Sequence, residues 1–340
     1  MVSFVKALKP RSAIARAAYY GGLWRVHNSG AWIVAYHGVV ERSQDPWLET
    51  DLLPLSVFRE HLNYFQKRRS VVSLDELLAY IAGGTAPDPR LVVLCFDDAL
   101  ASLQEYVIPE LSARRMPFVI GVPAGLPSTG RSLWEYEAAF LVYLCGAREA
   151  LPNLMRALPA RSQKLLEPRA DSISQVASVL ANLKGFLRLG VSSRERISIL
   201  DALIAEVAPD FCERLQADGR FSVMQWEQLR EVCSVGGALA AHGYLHHPHN
   251  GTLTESSRME ELRRPLELIK QHTGTTTECF IWPEGVVDEA SIEMGRGMSY
   301  KYFLSSRPGR ITCETSPGDV PRVSGQWPLA QVLWNAATLK

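Results

Sequence analysis

The sequence carries no excess charge of either sign: 36 Lys and Arg stand against 36 Asp and Glu. With no basic block in addition, the electrostatic case for a nucleic-acid partner disappears. Close cysteine pairs are also absent. The six cysteines, Cys95, Cys145, Cys212, Cys233, Cys279 and Cys313, are scattered, which excludes zinc-knuckle and Cys-x-x-Cys redox chemistry and fits a reducing, cytoplasmic location. No uninterrupted apolar run is long enough for a signal peptide or a transmembrane segment. There is no fixed-period repeat and no low-complexity tract. Residues 1–30 place Lys6, Lys9, Arg11 and Arg16 among apolar residues. That pattern predicts an amphipathic helix interrupted at Pro10 and packed on the domain, with peripheral membrane contact as the alternative.

What is present is a chain of 340 residues, 47% of them hydrophobic, enough for a sizeable core without disulfide staples. From residue 31 onward, short β-type runs alternate with longer helical stretches, the signature of an α/β fold with a mostly parallel sheet. Strands are predicted at 32–36, 91–96, 118–122, 238–241, 279–282 and 302–305. Between the first two, SVFREHLNYFQKR and SLDELLAYIAGG have helical periodicity, the second opened by Ser73 as an N-cap and closed by Gly83-Gly84. The rhythm breaks over 126–222, where apolar residues recur at helical spacing with little strand character. This predicts a helical insertion dividing the α/β domain into 31–125 and 223–325, with a C-terminal helix at 326–340.

Two segments carry chemistry. LVVLCFDDAL is a buried-strand run ending in Asp97-Asp98, and ligands gather at the carboxyl ends of parallel strands. A helix N-cap is the plain structural alternative. GGALAAHGYLHHPHN ends a second strand in His242, with His246 four residues on and His247 and His249 beside it. A helical turn would put His242 and His246 on one face, within reach of one ion; a solvated His-rich loop is the alternative. Together the segments offer two imidazoles and a carboxylate, a ligand set that leaves positions open for water and substrate.

On these residues the chain resembles the polysaccharide deacetylase family (NodB homology, carbohydrate esterase family 4), over roughly 32–122 and 222–323. The resemblance implies a distorted (β/α)7-type barrel with a large helical insertion. It implies a metal-dependent hydrolase of amide bonds that removes an acetyl or short acyl group from an amino sugar in a polysaccharide or glycolipid. Asp97 would be the base, and Asp98, His242 and His246 would hold one divalent metal ion, zinc first, with cobalt, nickel or iron as alternatives. FIWPEG resembles the family's aromatic-Pro-x-Gly motif, which places Trp282, Pro283, Glu284 and Gly285 at the substrate groove and the Glu284 N–H at the oxyanion. Tyr36-His37 at the end of the first strand is similar to a branch with circularly permuted motifs, in which His37 would be the general acid and Tyr36 would sit at the substrate.

Several positions depart from the family pattern. Cys95 stands for Thr or Ser, Ala99 for Gly, Gly243 for Ser or Thr, and Ile281 for an Arg that orients the base, a duty Arg322 is expected to take. Glu284 replaces an aromatic residue and is expected to recognise a cationic group on the substrate. Two other functions stay open: a deacylase of a small-molecule biosynthetic intermediate, and an inactive relative that binds a glycan or a protein partner.

Overall fold

The computed structural model describes residues 30–147, 151–157, 172–189, 191–251 and 253–338. The amphipathic helix expected over 1–30 lies outside the described residues apart from Gly30. Ten strands are present among the described residues: β1 (Trp32–Tyr36), β2 (Gly38–Val40), β3 (Leu52–Pro54), β4 (Ser70–Val71), β5 (Leu91–Phe96), β6 (Phe118–Val122), β7 (Gly237–Ala241), β8 (Cys279–Ile281), β9 (Tyr302–Pro308) and β10 (Val320–Ser324). All the pairings within the main sheet are parallel, in the order β1-β10-β9-β8-β7-β6-β5, and β5 returns to pair with β1. Seven strands therefore close a barrel. β4 adds to β5 at Leu91 and Val92, below the point where β6 joins at Leu94, and β2 and β3 form a separate pair.

Six of the seven ring strands are those predicted from the sequence; β8 ends one residue earlier and β9 runs three further. The seventh, β10, is hidden because Pro321 and Arg322 interrupt its apolar run. Proline has no N–H for the ladder, and the register to β9 shifts between Val320 and Arg322. The break falls where Arg322 enters the barrel.

Strand alternation sorts side chains into two cores. Ile33, Val93, Cys95, Val119, Ala240, Ile281 and Leu304 fill the barrel interior, joined by Leu74, Leu77, Leu78 and Ile81 of the helix Leu74–Ala82. Trp32, Val34, Tyr36, Val92, Leu94 and Phe96 point outward into the layer of surrounding helices. Ser73 caps Leu74–Ala82 by accepting from the Glu76 N–H, as expected. Between β6 and β7 the chain forms the helices Trp134–Ala147, Leu151–Ala157, Ser172–Leu189, Ser193–Val207 and Phe211–Asp218. Their buried Phe140, Leu183, Leu187, Leu200, Leu203 and Phe211 form one layer continuous with the outer core. The return segment is pinned to the barrel, since Ala101 N–H donates to the Ser222 carbonyl at 2.7 Å and Met224 N–H to the Ala99 carbonyl at 2.8 Å. Among the described residues no helix is long and apolar enough to cross a membrane.

The period of two overturns one expected site residue. Tyr36 lies on the outward face, fully buried, with its ring 5.5 Å from Phe58 and 5.3 Å from Phe96 and its hydroxyl 3.0 Å from His61 Nδ1. Its neighbours Ala35 and His37 face the cavity instead. Tyr36→Phe leaves a buried ring nitrogen without its partner and is expected to cost about 1–3 kcal/mol. Chemical denaturation would show it as a lower midpoint, and an unchanged midpoint would contradict a structural role for the hydroxyl.

Candidate active site

The chain leaves β5 into Asp97, whose N–H donates to the Tyr36 carbonyl at 2.8 Å, and then turns sharply. Asp98 and Ala99 take φ of 72° and 49°, a left-handed pair that L-residues adopt only when the surroundings hold them. The family's usual Gly in place of Ala99 follows from that geometry. The turn aims Asp98 across the barrel mouth at the residues that follow β7.

There, Asp98 Oδ1 lies 3.2 Å from His242 Nε2 and 3.4 Å from His246 Nε2, and the two Nε2 atoms are 3.2 Å apart. All three residues are buried, and Asp98 Oδ1 has no hydrogen-bond donor. His242 Nδ1 is 2.9 Å from the Ile281 carbonyl, which can only accept, so the Nδ1 proton is fixed and Nε2 presents a lone pair. His246 Nδ1 lies 2.9 Å from Glu135 Oε1, an ion-pair contact without hydrogen-bond geometry. A carboxylate oxygen and two imidazole nitrogens thus converge, a donor set that fits a divalent cation. Among the described residues this is the one group of three that could do so.

Residues 242–250 form an irregular loop, the alternative to the helical turn that the spacing would allow. Left-handed backbone at Gly243 (φ 80°) and His246 (φ 57°) brings the imidazoles together. The buried Glu261 carboxylate anchors the loop by accepting from the N–H groups of Tyr244 at 2.8 Å and Leu245 at 3.0 Å. A Cβ on Gly243 would lie 2.6 Å from Glu261 Oε2, so this anchor explains why glycine replaces Ser or Thr. The neighbouring histidines stand apart. His247 Nδ1 pairs with Arg196 at 2.6 Å, and His249 is packed against Phe280 and Trp282.

Asp97 is held by Arg322, whose Nη1 donates to Oδ1 at 2.7 Å while its Nε donates to the Ser305 carbonyl at 3.0 Å. Burial raises the Asp97 carboxyl, but Arg322 and His242 bring it below the usual range. Cys95 Sγ is 3.6 Å from the same oxygen, where the usual Thr or Ser would also reach. His37 Nδ1 is 3.2 Å from Gln326 Nε2. Burial lowers the His37 imidazole, yet Asp98, Asp51 and Asp97 together raise it above its ordinary value.

These groups line a cavity of about 580 Å³, together with Trp282, Glu284 and Gly285. Pro283 is buried and does not line it. The Glu284 expectation needs correction, because the cationic group beside its carboxylate belongs to the protein. Arg188 Nε lies 2.5 Å from Glu284 Oε2. Burial and the nearby Glu135 lift the Glu284 carboxyl to about 7, against the pull of His246 and Arg188. Gly285 (φ 64°) has no room for a side chain, since a Cβ would overlap Ser306.

The insertion supplies groups the sequence reading missed. Tyr136 Oη donates to Asp98 Oδ2 at 2.8 Å, Glu135 faces His246, and Lys184 and Arg188 border the cavity. The only linear signal was the aromatic and acidic run LWEYE after a Pro/Gly-rich loop.

A model of the polysaccharide deacetylase family matches residues 214–303, which include both histidines and the FIWPEG turn. No curated protein matches the chain. Among solved structures, IcaB from Ammonifex degensii is 18% identical with a TM-score of 0.57, covering 90% of this chain and 96% of that one. The Streptococcus pyogenes deacetylase PplD is 12% identical with a TM-score of 0.54, covering 87% and 92%. A de-N-acetylase from Aggregatibacter actinomycetemcomitans is 16% identical with a TM-score of 0.50, covering 86% and 93%. At these identities the solved structures speak for the fold. The family match and the shared barrel bear out the resemblance read from the motifs: over 214–303 the chain carries the pattern of the polysaccharide deacetylases.

Proposed function

We propose that this protein is a metal-dependent N-deacetylase acting on an N-acetylated amino sugar of a polysaccharide or glycolipid. The observation that supports it most directly is the buried Asp98 Oδ1, unbonded and facing two imidazole Nε2 atoms at 3.2 and 3.4 Å. Asp98, His242 and His246 would hold one divalent cation, zinc first and cobalt, nickel or iron next, which when bound supplies Lewis-acid polarisation of the amide carbonyl.

The chain's own residues do the rest. Asp97, kept ionised and oriented by Arg322, takes a proton from the water whose oxygen attacks the carbonyl carbon. The Glu284 N–H, just after Pro283, stabilises the oxyanion that develops. His37 hands its proton to the nitrogen as the C–N bond breaks, and the products are a free amine and acetate. Arg322 acts through Asp97, donating to it from Nη1 while its Nε is anchored on the Ser305 carbonyl; the Trp282 ring is packed inside the fold against Phe303 and His249.

A second reading is a deacylase of a compact biosynthetic intermediate. It is favoured by the helix Ser172–Leu189, whose Ala181, Lys184, Gly185 and Arg188 wall the cavity and restrict passage of a polymer. Turnover of N-acetylglucosamine oligomers of increasing length against monomeric N-acetyl sugars separates the two. A rate that grows with chain length rejects the compact substrate.

Three outcomes test the assignment itself. Asp97→Asn should keep the cation and lose about 10²–10⁴ in turnover, whereas His242→Ala should lose the cation, read as metal content after gentle purification. Full activity of Asp97→Asn would remove it as the base. For pH, burial lowers the His246 imidazole but Glu135 and Asp98 lift it to about 10. Below that value the cation-free ring holds an extra proton that ligation must displace, so apparent affinity should rise with pH, by up to about tenfold per unit. Calorimetry at pH 7 in buffers of different ionisation enthalpy should show proton release on cation binding, and its absence would contradict the assigned ligands.

A further inference from the structure

We propose that Glu135 and Tyr136 of the insertion are positioning residues for the cation site, so that the insertion completes the metal centre in addition to walling the cavity. This rests on the metal-dependent reading above. The motif resemblance, over roughly 32–122 and 222–323, supplied neither residue.

The geometry divides the support of the three ligands between two parts of the molecule. The barrel orients His242, through the Ile281 carbonyl 2.9 Å from Nδ1. The insertion orients the other two. Tyr136 Oη donates to Asp98 Oδ2 at 2.8 Å, which fixes the carboxylate's rotation and leaves Oδ1 directed at the imidazoles. Glu135 Oε1 lies 2.9 Å from His246 Nδ1, a carboxylate–imidazole ion pair that holds the ring by charge, without hydrogen-bond geometry. Glu135 is 14% exposed and Tyr136 4%, so water screens neither contact much.

The turn that carries both residues is itself braced. Glu137 accepts from Arg131 Nε and Nη2, each at 2.7 Å, and from the Ser132 N–H at 3.0 Å. The Ser132 hydroxyl donates to the Phe221 carbonyl, and the Tyr136 ring stacks on Phe221 at 5.0 Å. Phe221 precedes the segment that bonds to Ala99 and Ala101, immediately after Asp98. The first turn of Trp134–Ala147 and the Asp98 loop are thus clamped to the same stretch of chain. Such bracing is what a group needs to set ligand geometry to a few tenths of an ångström.

Binding of cobalt(II) to the metal-stripped full-length chain, measured by calorimetry and by the visible cobalt spectrum, tests this. Tyr136→Phe keeps the stack on Phe221 and removes only the donor; Glu135→Gln keeps shape and removes the charge. Each is expected to raise the cobalt Kd about ten- to a hundredfold and to alter the spectrum, with the Tm of the stripped protein unchanged. A wild-type Kd and spectrum in both variants would overturn the inference while leaving the metal site intact. A loss of binding that tracks a drop in stripped-protein Tm would also overturn it, in favour of a folding role. Failure of the wild-type chain to bind cobalt would instead sink the metal-dependent reading on which it rests.

Discussion

One carboxylate oxygen and two imidazole nitrogens, buried and pressed together, govern the architecture around them. A carboxylate oxygen and two imidazole nitrogens at 3.2–3.4 Å repel one another unless a positive charge sits among them. Holding them there needs rigid elements converging from distant parts of the sequence. The closed ring meets that need, because parallel strands deliver their ends to one rim and the barrel's packed interior keeps that rim from spreading. Arg322 serves the same end for Asp97: a buried carboxylate beside another would be costly, and the guanidinium balances it from the adjoining strand β10.

The burden is split between a barrel and an excursion from it. The barrel contributes every residue assigned to chemistry, whereas the helices of the insertion contribute groups that touch those residues from outside. The Glu284 and Arg188 pair shows what this does to the cavity. A carboxylate that would otherwise face substrate is engaged by a helix of the insertion, and the wall between them becomes a doorpost. The same helix carries Lys184, which leaves the positive character of that wall to the insertion and not to the barrel.

Much of this was legible in the linear sequence, for identifiable reasons. Apolar runs in β5, β6 and β7 are long and continuous because both faces of a barrel strand are covered, and the Asp97-Asp98 and His242/His246 segments stand out where those runs stop. β10 did not show, since Pro321 and Arg322 break its pattern for the sake of the site. Tyr36 was misread because adjacent strand residues face opposite ways, so a motif that names two neighbours can place only one in a cavity. The shape of the loop after β7 stayed open, because His spacing reports a helix only if the backbone is helical, and Gly243 and His246 are left-handed. Glu135 and Tyr136 were out of reach, being 37 and 38 residues from Asp98 and carried by a segment whose periodicity speaks only of helices.

Of the six non-glycine residues with positive φ among those described, Asp98, Ala99, His246 and Glu284 lie in the loops at the barrel mouth. Each such conformation stores about 1–3 kcal/mol that the surrounding packing must offset. Stored energy of this kind makes the rim the part of the molecule with most to gain from partial opening. Under mild heat or denaturant, then, these loops should let go while the ring of strands still stands, and the protein would pass through a well-folded state in which Asp98, His242 and His246 no longer meet.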